Sequence, residues 1–305
     1  MIKRKEEEAL LIGLLLMFGM AFSGIFVQKY ANQNYQIRNI LTLSMTLSVA
    51  IFFVFQYFID YNTLTFITDK FTFLSDPFLY MALVLNFSGQ YISRKLVKSN
   101  EDNLSYIQFG NFLFIALVPI VSFLAVEFFN FKNAINVNYD SFFDVIKFSS
   151  ILVILSFLLF FDKIKNKSLK RIDLMFYMLI CTCFAFVFIN KLMQTYNTEA
   201  VYFCSILFNA FMWLNMSFKK KEYSYVKKRH YKFFFIFALC YLMYSYFNII
   251  IVEFLPVEHI SILRTLAFIT MASIFDFMNA KKLNLSLKDF IILGILFLTL
   301  YMLNY

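Results

Sequence analysis

Residues 104–129 read LSYIQFGNFLFIALVPIVSFLAVEFF, a run whose only charge, Glu127, stands close to its end. A helix needs about 20 predominantly apolar residues to cross the ~30 Å hydrocarbon core of a bilayer, and this run exceeds that. The pattern recurs along the chain. Ten such runs are expected to be transmembrane helices: 9–28, 39–59, 77–93, 104–129, 142–162, 172–190, 199–218, 232–254, 257–279 and 287–304. The third is short and polar, and the eighth and ninth part only near Pro256. The fold class expected is an all-α membrane protein, a single integral membrane domain over residues 1–305.

Composition agrees. The chain is 61% hydrophobic and 15% charged, whereas soluble domains run near ~45–50% and ~25%. Its net charge of +9 sits in short clusters between apolar runs. No soluble segment is long enough to present a basic face to nucleic acid, so that partner is excluded. The longest connections, 60–76 and 219–231, cannot fold as domains, and specific binding falls to side chains on the helices. Lys3, Arg4 and Lys5 suit a signal peptide, and Ala21-Phe22-Ser23 resembles a cleavage site. The acidic trio Glu6, Glu7 and Glu8 does not suit one, and cleavage would leave an odd nine helices; the first run is read as retained.

Lysine and arginine placement sets the expected orientation. Loops after odd-numbered spans hold 20 basic residues, densest at Lys163–Arg171 and Lys219–Lys232. The other side holds six: Lys3, Arg4, Lys5, Lys70, Lys132 and Lys191. This puts the odd loops in the cytoplasm and both termini outside.

A repeat is visible in outline. The fourth span closes with Glu127 and then Asn130; the ninth closes with Asp276 and then Asn279, the acids standing 149 residues apart. One further apolar run follows each. Five helices per half, repeat one over about 9–162 and repeat two over about 172–304, would lie inverted to each other, an arrangement common in secondary transporters.

The stretches NLSYIQFGNFLFIALVPIVSFLAVEFF (103–129) and DSFFDVIKFSSILVILSFLLFF (140–161) resemble the fourth and fifth helices of the drug/metabolite transporter superfamily, in its ten-helix EamA-like form. FLPVEHISILRTLAFITMASIFDFMNAKKLNLSLKDFIILGILFLTLYML (254–303) resembles helices nine and ten. The resemblance implies a multi-pass protein of a bacterial inner membrane that moves small molecules by alternating access, without a cofactor. The chain departs from the family in its six glycines, in Asp276 standing for the second glutamate, in the position of Pro119, and in a charge bias opposite to the family's cytoplasmic termini.

Polar side chains inside spans are costly unless they face protein or water, so one-sided polar stripes point to a cavity. The third span offers Asn86, Gln90 and Ser93, and the fourth Gln108, Asn111 and Ser122. The eighth carries Tyr241, Ser245 and Asn248 with Tyr244 beside them, and the ninth Ser261, Arg264 and Thr265. Asn86, Gln90, Gln108, Asn111, Tyr241, Tyr244, Asn248 and Arg264 are the candidate substrate-binding residues. Arg264 reads either as a site for an anionic group or as a charge paired with Glu253 or Glu258, or snorkelling to the interface. Glu127 and Asp276 read as fixing helix ends, with proton coupling the alternative. His259, at a helix start, is expected in solvent. Trp213 and the tyrosines suit interfacial belts or cavity walls, Tyr241 and Tyr244 the latter. Cys181, Cys183, Cys204 and Cys240 form no CxxC pair and read as small hydrophobes. With His230 and His259 far apart, no metal site is expected.

Three functions follow. A secondary transporter would move a small polar or amphipathic metabolite about a site lined by the third, fourth, eighth and ninth spans. A flippase would use a laterally open cavity for a lipid-linked substrate. A membrane enzyme or assembly factor would need an interfacial cluster of carboxylates or histidines, and neither a GxSxG nor an HExxH motif occurs. The expected partners are a small-molecule substrate and membrane lipids; no strict GxxxG signals a dimer.

Overall fold

A computed structural model describes residues 34–59, 72–99, 103–131, 141–165 and 171–280, with isolated positions between 134 and 139 and between 291 and 298. Eight long helices occur among them: α1 (Arg38–Ile59), α2 (Pro77–Ser99), α3 (Asn103–Phe129), α4 (Phe142–Lys165), α5 (Ile172–Thr195), α6 (Thr198–Lys219), α7 (Lys228–Val252) and α8 (Val257–Ala280). They match the second to ninth expected spans. Among the described residues α1, α3, α5, α6 and α7 are long and apolar enough to cross a membrane, which marks a multi-pass membrane protein. The run 9–28 lies outside the described residues. Of 287–304 only Ile291, Gly294, Ile295 and Leu298 are described, and all four are helical.

Local chemistry explains the helix ends. Asn130 takes up a left-handed φ of 60° directly after α3, a conformation asparagine tolerates better than most residues. This accounts for the asparagine after Glu127, itself exposed near the end of its helix. Asn197 caps α6, its side chain accepting from the Ala200 N–H at 2.9 Å. Pro256 immediately precedes α8, where its missing N–H costs nothing, and so the eighth and ninth spans divide there. α3 runs unbroken through Pro119.

α2 and α5 pack antiparallel along their length, with Phe78 beside Phe188 (ring centroids 5.7 Å) and Gly89 against Thr182. A side chain at Gly89 would collide with the Thr182 methyl; the glycine permits the close approach. α1 packs on α6 and α7, and α3 on α4, α5 and α8. The outward faces are greasy, with Phe55, Phe143, Leu158, Phe211 and Phe235 all exposed. A surface of that kind suits lipid rather than water. The four cysteines are free, Cys181 and Cys183 buried and the other two half-buried.

The two ends of the bundle differ. At the basic end, Glu222 is buried among the lysines and accepts from the N–H groups of Asn39 (2.8 Å) and Ile40 (3.0 Å), capping α1. At the far end Asp76 accepts from the Phe78 N–H (2.9 Å) and the Tyr196 hydroxyl (3.1 Å). There Phe78, Phe129, Phe131 and Phe188 form a ring cluster with centroids 4.8–6.0 Å apart.

Candidate functional site: a polar cavity within the bundle

A cavity of about 440 Å³ lies in the middle of the helices, within the usual range for small-molecule sites. α2 contributes Asn86, Gln90 and Ser93, one turn apart or less, with Gly89 between them. Gln90 donates to the Asn86 side-chain oxygen Oδ1 at 3.1 Å and accepts from the Trp213 indole at 3.3 Å. Trp213 is fully buried, so its place is behind the cavity wall and not in an interfacial belt. α7 contributes Tyr241, Tyr244 and Asn248, the two rings 5.8 Å apart. α8 contributes Arg264 and Thr265, and α3 Gly110 and Phe114. The side chains of Gln108, Asn111 and Asp276 lie outside the described residues.

Arg264 is the telling residue. Every residue from Val257 to Ala267 is buried except Arg264, which is exposed. On a helix enclosed by neighbours, that exposure opens into the cavity. Among the described residues no ion pair links Arg264 to Glu253 or Glu258, the pairings weighed from the sequence. The phenols of Tyr202 and Tyr241 lie near it on the cavity wall.

Several lining residues escaped the sequence reading. α6 contributes Tyr202, Ser205 and Asn209, spaced three and four apart on one face, so the rule that found the α2 stripe would have found them too. Asn190 of α5 was missed because the sixth span was expected to end there, whereas the helix continues to Thr195. The Asn190 and Asn209 side chains are nearly buried, and the carbonyl oxygen of each has no hydrogen-bond partner among the described residues. Leaving such an acceptor unmet costs about 1–3 kcal/mol. Ser122, Ser245 and Ser261 do not line the cavity. Ser122 lies beside Glu258, and Ser261 donates back to the Glu258 carbonyl at 2.7 Å.

A second polar cluster closes the far end, and it corrects two expectations. Lys191, read as a loop charge, lies within α5 with no exposed surface; its ammonium donates to the Ile135 carbonyl at 2.8 Å. His259, expected in solvent, is 7% exposed, with neither ring nitrogen bonded among the described residues. The Lys191 bond ties α5 to Ile135, in the connection after α3. Glu258, 2% exposed, faces Lys191 and the Tyr139 hydroxyl. Burial, with the Glu258 charge second, pushes the Tyr139 phenol far up, so it stays protonated at physiological pH. Gln194 ties this end together. It accepts from the Ile135 N–H at 3.1 Å and donates to the Val252 and Leu255 carbonyls at 3.0 Å each.

The chain matches no family model, no curated protein and no solved structure. The functional reading therefore rests on the cavity and its chemistry. Its walls combine amides, hydroxyls, phenol rings and one guanidinium, groups able to hydrogen-bond a polar solute.

Proposed function

We propose that this protein is a secondary transporter that moves a small polar or amphipathic metabolite by alternating access. The supporting observation is Arg264, the one exposed position in a buried stretch of α8, opening into a cavity to which α2, α3, α5, α6 and α7 also contribute. Holding an arginine inside a membrane protein costs at least ~2.5 kcal/mol on insertion scales. A chain that only needed to pack would place an apolar residue there.

The arrangement of ends supports the carrier reading as well. The far end is shut by the Gln194 bonds and the phenylalanine cluster, while the cavity reaches along α2 to Ser93 and along α5 to Met178. We read this as the state facing the basic end, which the positive-inside rule puts in the cytoplasm of a bacterial inner membrane. Ten helices in two inverted halves, as in the drug/metabolite transporter superfamily, fit the packing. α1 contacts α6 and α3 contacts α8, pairs that hold equivalent places in the two halves.

The test is counterflow into liposomes carrying the purified protein, across a panel of organic acids, amines, sugars and amino acids. The reading expects saturable exchange of at least one solute, lost in Arg264→Gln protein of unchanged fold. No flux of any solute by folded protein would overturn it.

A further inference from the structure

We propose that the solute is a small organic monoanion: a carboxylate held by Arg264, on a body whose hydroxyl or N–H groups donate to Asn190 and Asn209. This deepens the transporter reading and rests on it for the site's purpose.

The charge argument comes first. Among the described lining residues Arg264 is the only charged side chain. A guanidinium stays protonated at every physiological pH, so the described wall carries one fixed positive charge. A cationic solute would add a like charge in a poorly screened interior, with no carboxylate on the described wall to receive it. A phosphate monoester, close to doubly charged, would leave the site negative. One carboxylate balances it. The guanidinium fork also matches a carboxylate in shape, offering two parallel N–H donors to its two oxygens.

The second argument is independent of charge. Asn190 amide donates to the Phe186 carbonyl at 2.6 Å, which fixes its own carbonyl as the remaining group. That oxygen and the Asn209 carbonyl oxygen are buried acceptors with no partner among the described residues. Acceptors call for donors, and a bare hydrocarbon acid supplies none. A hydroxyl or N–H on the solute does. Tyr202, Tyr241, Tyr244, Phe114 and Phe186 provide flat, mostly apolar faces for the rest of the body.

Three molecules with one body separate the possibilities: 4-hydroxyphenylacetate, its uncharged amide and tyramine. Binding to the purified full-length protein in detergent is read by equilibrium dialysis. The proposal expects the acid to bind at least tenfold more tightly than the amide or the amine. Arg264→Gln should weaken the acid at least tenfold and leave the amide unchanged, and Arg264→Lys, which keeps the charge and loses the fork, should fall between. Asn209→Leu should remove the preference for 4-hydroxyphenylacetate over phenylacetate. Unfolding temperatures without ligand check that the variants remain folded. Tyramine binding as tightly as the acid, acid binding indifferent to Arg264→Gln, or no binding of the acid to wild-type protein would each overturn the proposal. Acid binding without flux in liposomes removes the transport reading and leaves the ligand class standing. Flux of amines alone keeps transport and removes the ligand class.

Discussion

Replacing Glu258 by glutamine should strand the Lys191 ammonium in the sealed end of the bundle. The two residues are 2% and 0% exposed, and Glu258 interacts electrostatically with Lys191 from across the α5–α8 interface. Removing one member of a buried charged pair costs about 3–5 kcal/mol, because the survivor keeps its desolvation penalty and loses its compensation. No direct ion pair joins these two among the described residues, and Lys191 keeps its bond to the Ile135 carbonyl, so the lower figure of about 3 kcal/mol applies to Glu258→Gln. Lys191→Met should cost a similar amount for the mirror reason. The double variant removes both charges and loses the Ile135 bond, worth about 1 kcal/mol. The assay is reversible unfolding in mixed micelles, titrated with a denaturing detergent, for wild type, both single variants and the double. The cycle should show strong non-additivity, the double being more stable than either single. A double variant as unstable as the sum of the singles would refute the idea that these charges compensate one another.

Other perturbations test the packing around the cavity. Gly89→Ala should cost about 1–3 kcal/mol through its clash with Thr182, and the added change Thr182→Ser, which removes the methyl, should recover much of the lost unfolding temperature. Trp213 is the single tryptophan of the chain and has no exposed surface. Its emission should be blue-shifted and resist aqueous quenchers, and because its indole bonds Gln90, a bound solute should change it. Red-shifted, freely quenched emission would contradict the packing. Glu222→Ala should cost roughly 1–3 kcal/mol by uncapping two N–H groups of α1, measurable as a lower unfolding temperature.

The helices were legible because an apolar run of membrane length has few other uses; the ends of α1, α3, α6 and α8 fall within a residue or so of expectation. Pro256 marked the α7–α8 break for the same backbone reason that it sits there. The α2 and α7 stripes were legible as well, since amides and phenols at helical spacing leave a period in the chain. Ser122, Ser245 and Ser261 share that spacing yet miss the cavity, because facing is a matter of angle and the cavity also has depth. Lys191 shows the other limit. A lysine after an apolar run reads as the start of a loop, and only tertiary packing carries it one turn further into a sealed interior. Arg264 was conspicuous in sequence, but its partner was not. Pairing with Glu258 could have been set aside from spacing, since six residues put the two on different faces of one helix. That a cavity faces Arg264 depends on which way α8 turns against its neighbours, a relation between distant segments that no local spacing encodes.

The account depends most on a cavity that faces each side of the membrane in turn. Ser205 lines it on α6, so Ser205→Cys, with the four native cysteines replaced by alanine, reports access directly. A membrane-impermeant maleimide applied to oriented vesicles should label this position from the basic side and, at a slower rate, from the sealed side. Labelling from one side only, under every ion gradient tried and in active protein, would contradict alternating access.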